Sequence, residues 1–115
     1  MFQAQFLMNT ATTSIIVYGP WMPRQGDNIT FTLDLVGAKL TGNFVVELVT
    51  KNSEDTGAGT LSGVTAVKST AGQIDATARG VEELVRYRYT FSEAAAGDWA
   101  LFRMLDPIWW DDVAP

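Results

Sequence analysis

From Asn28 to Val36 the chain reads NITFTLDLV, and polar and apolar positions alternate from Asn28 through Leu35. Ile29, Phe31, Leu33 and Leu35 share one face; Thr30, Thr32 and Asp34 share the other. Period two over this length predicts a half-buried strand. Glu83 to Ser92 behaves the same way, with Val85, Tyr87, Tyr89 and Phe91 on one side and Arg86, Arg88, Thr90 and Ser92 on the other. Asn43 to Lys51 sets Phe44, Val46 and Leu48 against Glu47 and Lys51. The first residues set Phe2, Ala4, Phe6 and Met8 against Gln3 and Gln5. Ser14 to Tyr18 is β-branched and aromatic, a strand with apolar residues on both faces, and Asp98 to Leu105 reads as a further strand. Leu61 to Ser69 is weaker. Gly72 to Arg79 is a thin strand, and Asp75 and Arg79 suit it to a sheet edge.

Breakers divide these runs. Gly19-Pro20-Trp21-Met22-Pro23 cannot be a central strand, because two prolines lack donors, and it reads as an extended crossover. Arg24 to Asp27 is a turn. Gly37 to Gly42 reads as a loop closing a hairpin between the runs that flank it. Asn52 to Thr60 is rich in small and polar residues. If Glu93 to Gly97 closes a second hairpin, Phe91 falls near Trp99, Tyr89 near Leu101 and Tyr87 near Arg103. Glu82-Glu83 starts a short helical turn at most. The expectation is eight or nine strands at spacings of roughly ten residues, in one domain over residues 1–115. That pattern predicts an all-β fold, an antiparallel β-sandwich of jelly-roll or Ig-like type, with a small β-barrel as the alternative.

Composition narrows the function classes. The 115 residues include no cysteine and no histidine. Disulfides and thiolate nucleophiles are therefore excluded, as are histidine bases and histidine metal ligands. The net charge of −5, with eight scattered basic residues, argues against nucleic acid as a partner. The first ten residues carry no positive side chain and no long apolar core, so neither a signal peptide nor a transmembrane segment is expected. Synthesis in a cytoplasm and no membrane partner follow as expectations.

Candidate chemistry is thin. Asp106, Asp111 and Asp112 could contribute to a hard-cation site, but their spacing matches no calcium loop, and a solvated acidic end is the plainer reading. Glu54, Asp55 and Asp75 could pair for glycoside hydrolysis only across a shaped cleft. Lys51 and Lys68-Ser69 sit in no nucleophile motif. Arg86, Arg88 and Arg103 interleave with Tyr87 and Tyr89 like a single-strand nucleic-acid platform, but alternation sends tyrosines and arginines to opposite faces. The arginines are then expected to pair with acids outside. No catalytic residue, cofactor or metal is expected. Trp109 and Trp110 are adjacent, so in an extended tail they cannot both enter one core. Exposed aromatics mark protein interfaces or sugar-stacking platforms.

The C-terminal stretch DWALFRMLDPIWWDD resembles the C-terminal pattern of small proteins from tailed-phage structural gene clusters. In these, a strand ending in an arginine and hydrophobics runs into a proline and paired aromatics. The segment RQGDNITFTLDLVG resembles the opening of β-sandwich modules found on virions. The resemblance implies a non-enzymatic head decoration or minor capsid-associated protein, and no catalytic residue carries over. On that reading the chain works in the virion as a homo-oligomer that also meets a capsid shell protein. Phe2, Phe6, Trp21, Ile108, Trp109 and Trp110 are its expected interface. The alternative is a carbohydrate-binding sandwich with an exposed tryptophan platform.

Overall fold

A computed structural model describes residues 4–10 and 13–112. It contains ten strands: β1 Gln5–Asn9, β2 Ile16–Tyr18, β3 Met22–Pro23, β4 Asn28–Lys39, β5 Asn43–Lys51, β6 Thr60–Lys68, β7 Gly72–Ala78, β8 Leu84–Ser92, β9 Asp98–Met104 and β10 Ile108–Trp110. Among the described residues no helix is long and apolar enough to cross a membrane. The strands form two five-stranded antiparallel sheets packed as a sandwich. In the first, β1 pairs β9, β9 pairs β4, and β7 lies on the far side of β4. After Asp106-Pro107, β10 resumes on β4 at Asn28 to Thr30. In the second, the order is β2-β8-β5-β6, with β3 on the same margin of β8 as β2.

The core follows from the alternation. Ile29, Phe31 and Leu33 of β4 are fully buried, and Leu35 nearly so. They face Phe44, Val46 and Leu48 of β5 and Val85, Tyr87, Tyr89 and Phe91 of β8, all buried. Rings interlock between the sheets: Phe44 and Phe102 lie 4.7 Å apart, Tyr89 and Phe102 4.9 Å, and Phe31 and Tyr87 5.6 Å. Burial pushes the Tyr89 phenol up to about 12 and moves Tyr87 further in the same direction. Both are neutral packing groups at physiological pH.

The chain alternates between sheets, and this overturns both long-range pairings expected from adjacent runs. β4 and β5 are not a hairpin, because they lie in opposite sheets. The Gly37–Gly42 loop is shorter than expected: β4 continues to Lys39 past a bulge between Leu35 and Gly37. β8 and β9 are likewise in opposite sheets. Trp99 pairs with Met8 and Lys39, not Phe91; Leu101 pairs with Phe6 and Gly37, not Tyr89; Arg103 pairs with Asp34, not Tyr87. Among the described residues the one hairpin is β5–β6, joined by the small-residue loop after Lys51. Gly19 to Pro23 is extended as expected, and its end forms β3. The Gly19 N–H reaches the Tyr87 carbonyl at 2.9 Å, and both prolines sit at a sheet margin. β7 is an edge strand, as its charges suggested.

The crossover from β8 to β9 is held by Asp98. Its carboxylate accepts the Ala95 N–H, the Thr41 N–H and the Thr41 Oγ1 hydroxyl, each at 3.1 Å. The Ala95 bond is the leading reason its pKa lies below the ordinary aspartate value. A depressed carboxyl stabilises the fold above its unfolded pKa of about 3.9, and the contribution is lost as pH falls through the folded pKa. Asp98→Asn is expected to lower the urea midpoint at pH 7 and to flatten its decline in acid. Urea titrations from pH 7 to pH 2 check both; a variant curve parallel to wild type at every pH would contradict the assignment.

Candidate interaction surface

β1 lies at the margin of the first sheet, and its outer face is apolar. Phe6 is 55% exposed and Met8 45%, while Leu7 packs on the core and Asn9 is buried. The strand and its alternation were legible in the sequence, but the aromatic side faces solvent. Behind it, β9 sends Ala100 and Phe102 inward and Trp99 and Leu101 outward, each half-buried. Phe6 stacks on Trp99 with centroids 5.6 Å apart and planes 29° from parallel. The Trp99 ring lies over Gly37, where a Cβ would meet Cη2 and Cζ3 at 3.7 Å. The bulged residue Val36 adds further exposed apolar surface on β4.

One ion pair lies beside this strip. Arg103 Nε donates to Asp34 Oδ2 at 2.7 Å, and Lys39 lies within electrostatic reach of the Asp98 carboxylate. A chain of net charge −5 presents here a sheet face whose strip residues are all apolar.

The direction of the backbone groups along β1 follows from its pairing with β9. In an antiparallel strand the N–H and C=O of one residue point to the same side, and successive residues alternate. The Asn9 carbonyl accepts the Gly97 N–H at 2.7 Å, so the backbone groups of Asn9, Leu7 and Gln5 face β9. The Leu105 N–H reaches the Thr32 carbonyl at 3.1 Å, which sets the same parity through β9 from its other side. The backbone groups of Phe6 and Met8 consequently point away from β9. Among the described residues no strand pairs with β1 on that side.

Other margins carry features that discourage pairing. β7 carries Asp75 and is followed by Arg79. β10 is three residues long, between Pro107 and the Asp111-Asp112 pair. The margin made by β2 and β3 contains Pro20 and Pro23. β6 contains Gly63 at φ 82° and ends in Lys68. β1 has no charge, no proline and no break in register.

The predicted interface residues are not gathered in one place. Phe6 is on the β1 strip, while Ile108, 65% exposed, is on β10. Trp109 packs against the core and Trp110 lies on the opposite side, with the Arg79 guanidinium 5.6 Å from its ring, as period two requires. Trp21 lies between β2 and β3 beside the second sheet, where Arg86 sits 3.9 Å from the Tyr18 ring and 4.3 Å from the Trp21 ring, and Lys51 lies 4.8 Å from the latter. Phe2 lies outside the described residues. Met8, Trp99, Leu101 and Val36 were not among the candidates. β9 is apolar on both faces, so alternation alone could not say which set points outward.

The remaining candidates are structural. Asp111 Oδ1 accepts the Asp27 N–H at 3.0 Å, and Asp112 Oδ1 accepts Asn28 Nδ2 at 2.8 Å, fastening the tail to β4. Among the described residues no group of three or more acids could hold a metal ion. Glu54 and Asp55 lie in the β5–β6 loop and Asp75 in the other sheet, so the proposed acid pair is not assembled. Arg88 pairs with Glu47 at 3.5 Å as expected, but Arg86 packs on aromatic rings and donates to the Ala58 carbonyl at 3.1 Å. Comparison with protein-family models, with curated proteins and with solved structures finds no significant match.

Proposed function

We propose that this chain is a non-enzymatic structural protein of a phage virion, a capsid decoration or minor head-associated module that assembles through aromatic contacts. The observation that carries the assembly part is the apolar strip of Phe6, Met8, Trp99, Leu101 and Val36 beside a sheet edge that, among the described residues, no strand pairs. Monomers rarely leave apolar patches contiguous unless another molecule covers them. The virion assignment rests on the resemblance carried by Arg24 to Gly37 and Asp98 to Asp112. A two-sheet sandwich with a large aromatic core suits a part that has to stay folded and hold a neighbour.

Co-sedimentation of the purified chain with phage heads assembled without it tests the reading. Saturable binding at a fixed ratio to the shell protein is expected, with loss of binding in Leu101→Glu. A chain that stays in the supernatant at every ratio would count against it.

A further inference from the structure

We infer that β1 pairs antiparallel with β1 of a second copy of this chain, about a two-fold axis at Leu7, joining two five-stranded sheets into one. This deepens the assembly reading and rests on it, naming the partner of the edge. The backbone parity fixes the register. Only Phe6 and Met8 offer N–H and C=O groups outward within the strand. Setting Phe6 opposite the partner copy's Met8, and Met8 opposite its Phe6, uses all four donors and acceptors of each strand in hydrogen-bonded pairs. Leu7 then faces its own counterpart at the axis, an isologous contact.

Chemistry selects a second copy as the occupant. The edge needs an extended, uncharged segment with alternating apolar residues and free backbone groups of matching parity. Among the described residues β1 itself meets that need; the other margins bring proline, glycine or charge. Repulsion between two acidic chains is low at this edge, because β1 carries no charge and Arg103 beside it is paired with Asp34. The pairing also aligns the two apolar strips side by side. Each Phe6 ring lies across from a Met8 thioether, a favourable sulfur–aromatic neighbour.

Two measurements on the full chain test the pairing. Light scattering should give twice the chain mass of 12.6 kDa for wild type. The double variant Phe6→Lys, Met8→Lys changes only exposed side chains and places like charges directly opposite each other across the pair. It should weaken the dimer by about tenfold or more. In wild type, hydrogen exchange at the Phe6 and Met8 amides should slow as concentration rises. A monomer at every concentration, an undiminished dimer in the variant, or Phe6 and Met8 amides that exchange freely in the dimer would each overturn the pairing. A monomer that still binds heads would overturn the pairing and leave the assembly reading standing; a dimer that never binds heads would do the reverse.

Discussion

Phe44→Ala is expected to cost about 3–5 kcal/mol, the range for truncating a buried phenylalanine. The side chain is fully buried and meets three rings: Phe102 across the sandwich at 4.7 Å, Phe91 at 5.4 Å and Tyr89 at 6.4 Å. Phe102 belongs to the opposite sheet, so the truncation opens a void at the contact that holds the two layers together. The surrounding strands are paired on both sides and cannot easily collapse into it. Against a total of about 5–15 kcal/mol for a domain, this is a large fraction of the stability. Urea unfolding checks it: the midpoint should fall sharply with the slope unchanged. A loss under about 1 kcal/mol would mean that Phe44 does not bridge the sheets.

Gly42→Ala is the second large effect, and it acts by overpacking. A Cβ at this position would overlap the Ser92 carbonyl oxygen and lie 3.0 Å from the Ser92 carbonyl carbon and the Glu93 Cβ. The obstacle is backbone at the end of β8, so no rotamer change relieves it. Neighbouring bonds hold the region in place: the Asn43 N–H donates to Ser92 Oγ at 3.1 Å, and Thr41 is tied to Asp98. Moving Gly42 away would break the end of the β5–β8 ladder. A cost of about 1–3 kcal/mol is expected. Thermal unfolding would record it, with Gly57→Ala as the control, since a Cβ at Gly57 meets nothing within 4 Å. Equal transitions for the two variants would contradict the close approach.

The sequence was most readable where one face of a strand is apolar and the other polar. Ile29 to Leu35 and Val85 to Phe91 took their places in the core as their period implied. Strand partners were not readable, for a physical reason. A loop of the length of Glu93 to Gly97 serves a hairpin and a crossing between sheets equally well, and the choice depends on packing far from the loop. The buried carboxylate of Asp98, which fixes that crossing, draws its partners from Thr41 and Ala95, one of them distant in sequence.

The candidate surface was partly legible. Phe6 and Met8 were correctly read as sharing a face, but whether it is the inner or outer one depends on Leu7, whose packing appears only with the other sheet in place. Trp99 is similar: with Ala100 and Phe102 on one side and Leu101 on the other, neither face of β9 is polar enough to be assigned to solvent. The tryptophan pair gave a sound inference, since Trp109 and Trp110 do face opposite ways. Which of the two is covered by the chain itself was not legible, because the Arg79 guanidinium beside the Trp110 ring comes from another part of the sequence.

The proposed virion role is tested most directly by quantitative mass spectrometry of density-purified virus particles from cultures that carry the gene for this chain. The chain is expected in the particle band, at a fixed ratio to the major shell protein that survives repeated purification. Finding it only in the soluble fraction, with none in the particles, would contradict that role.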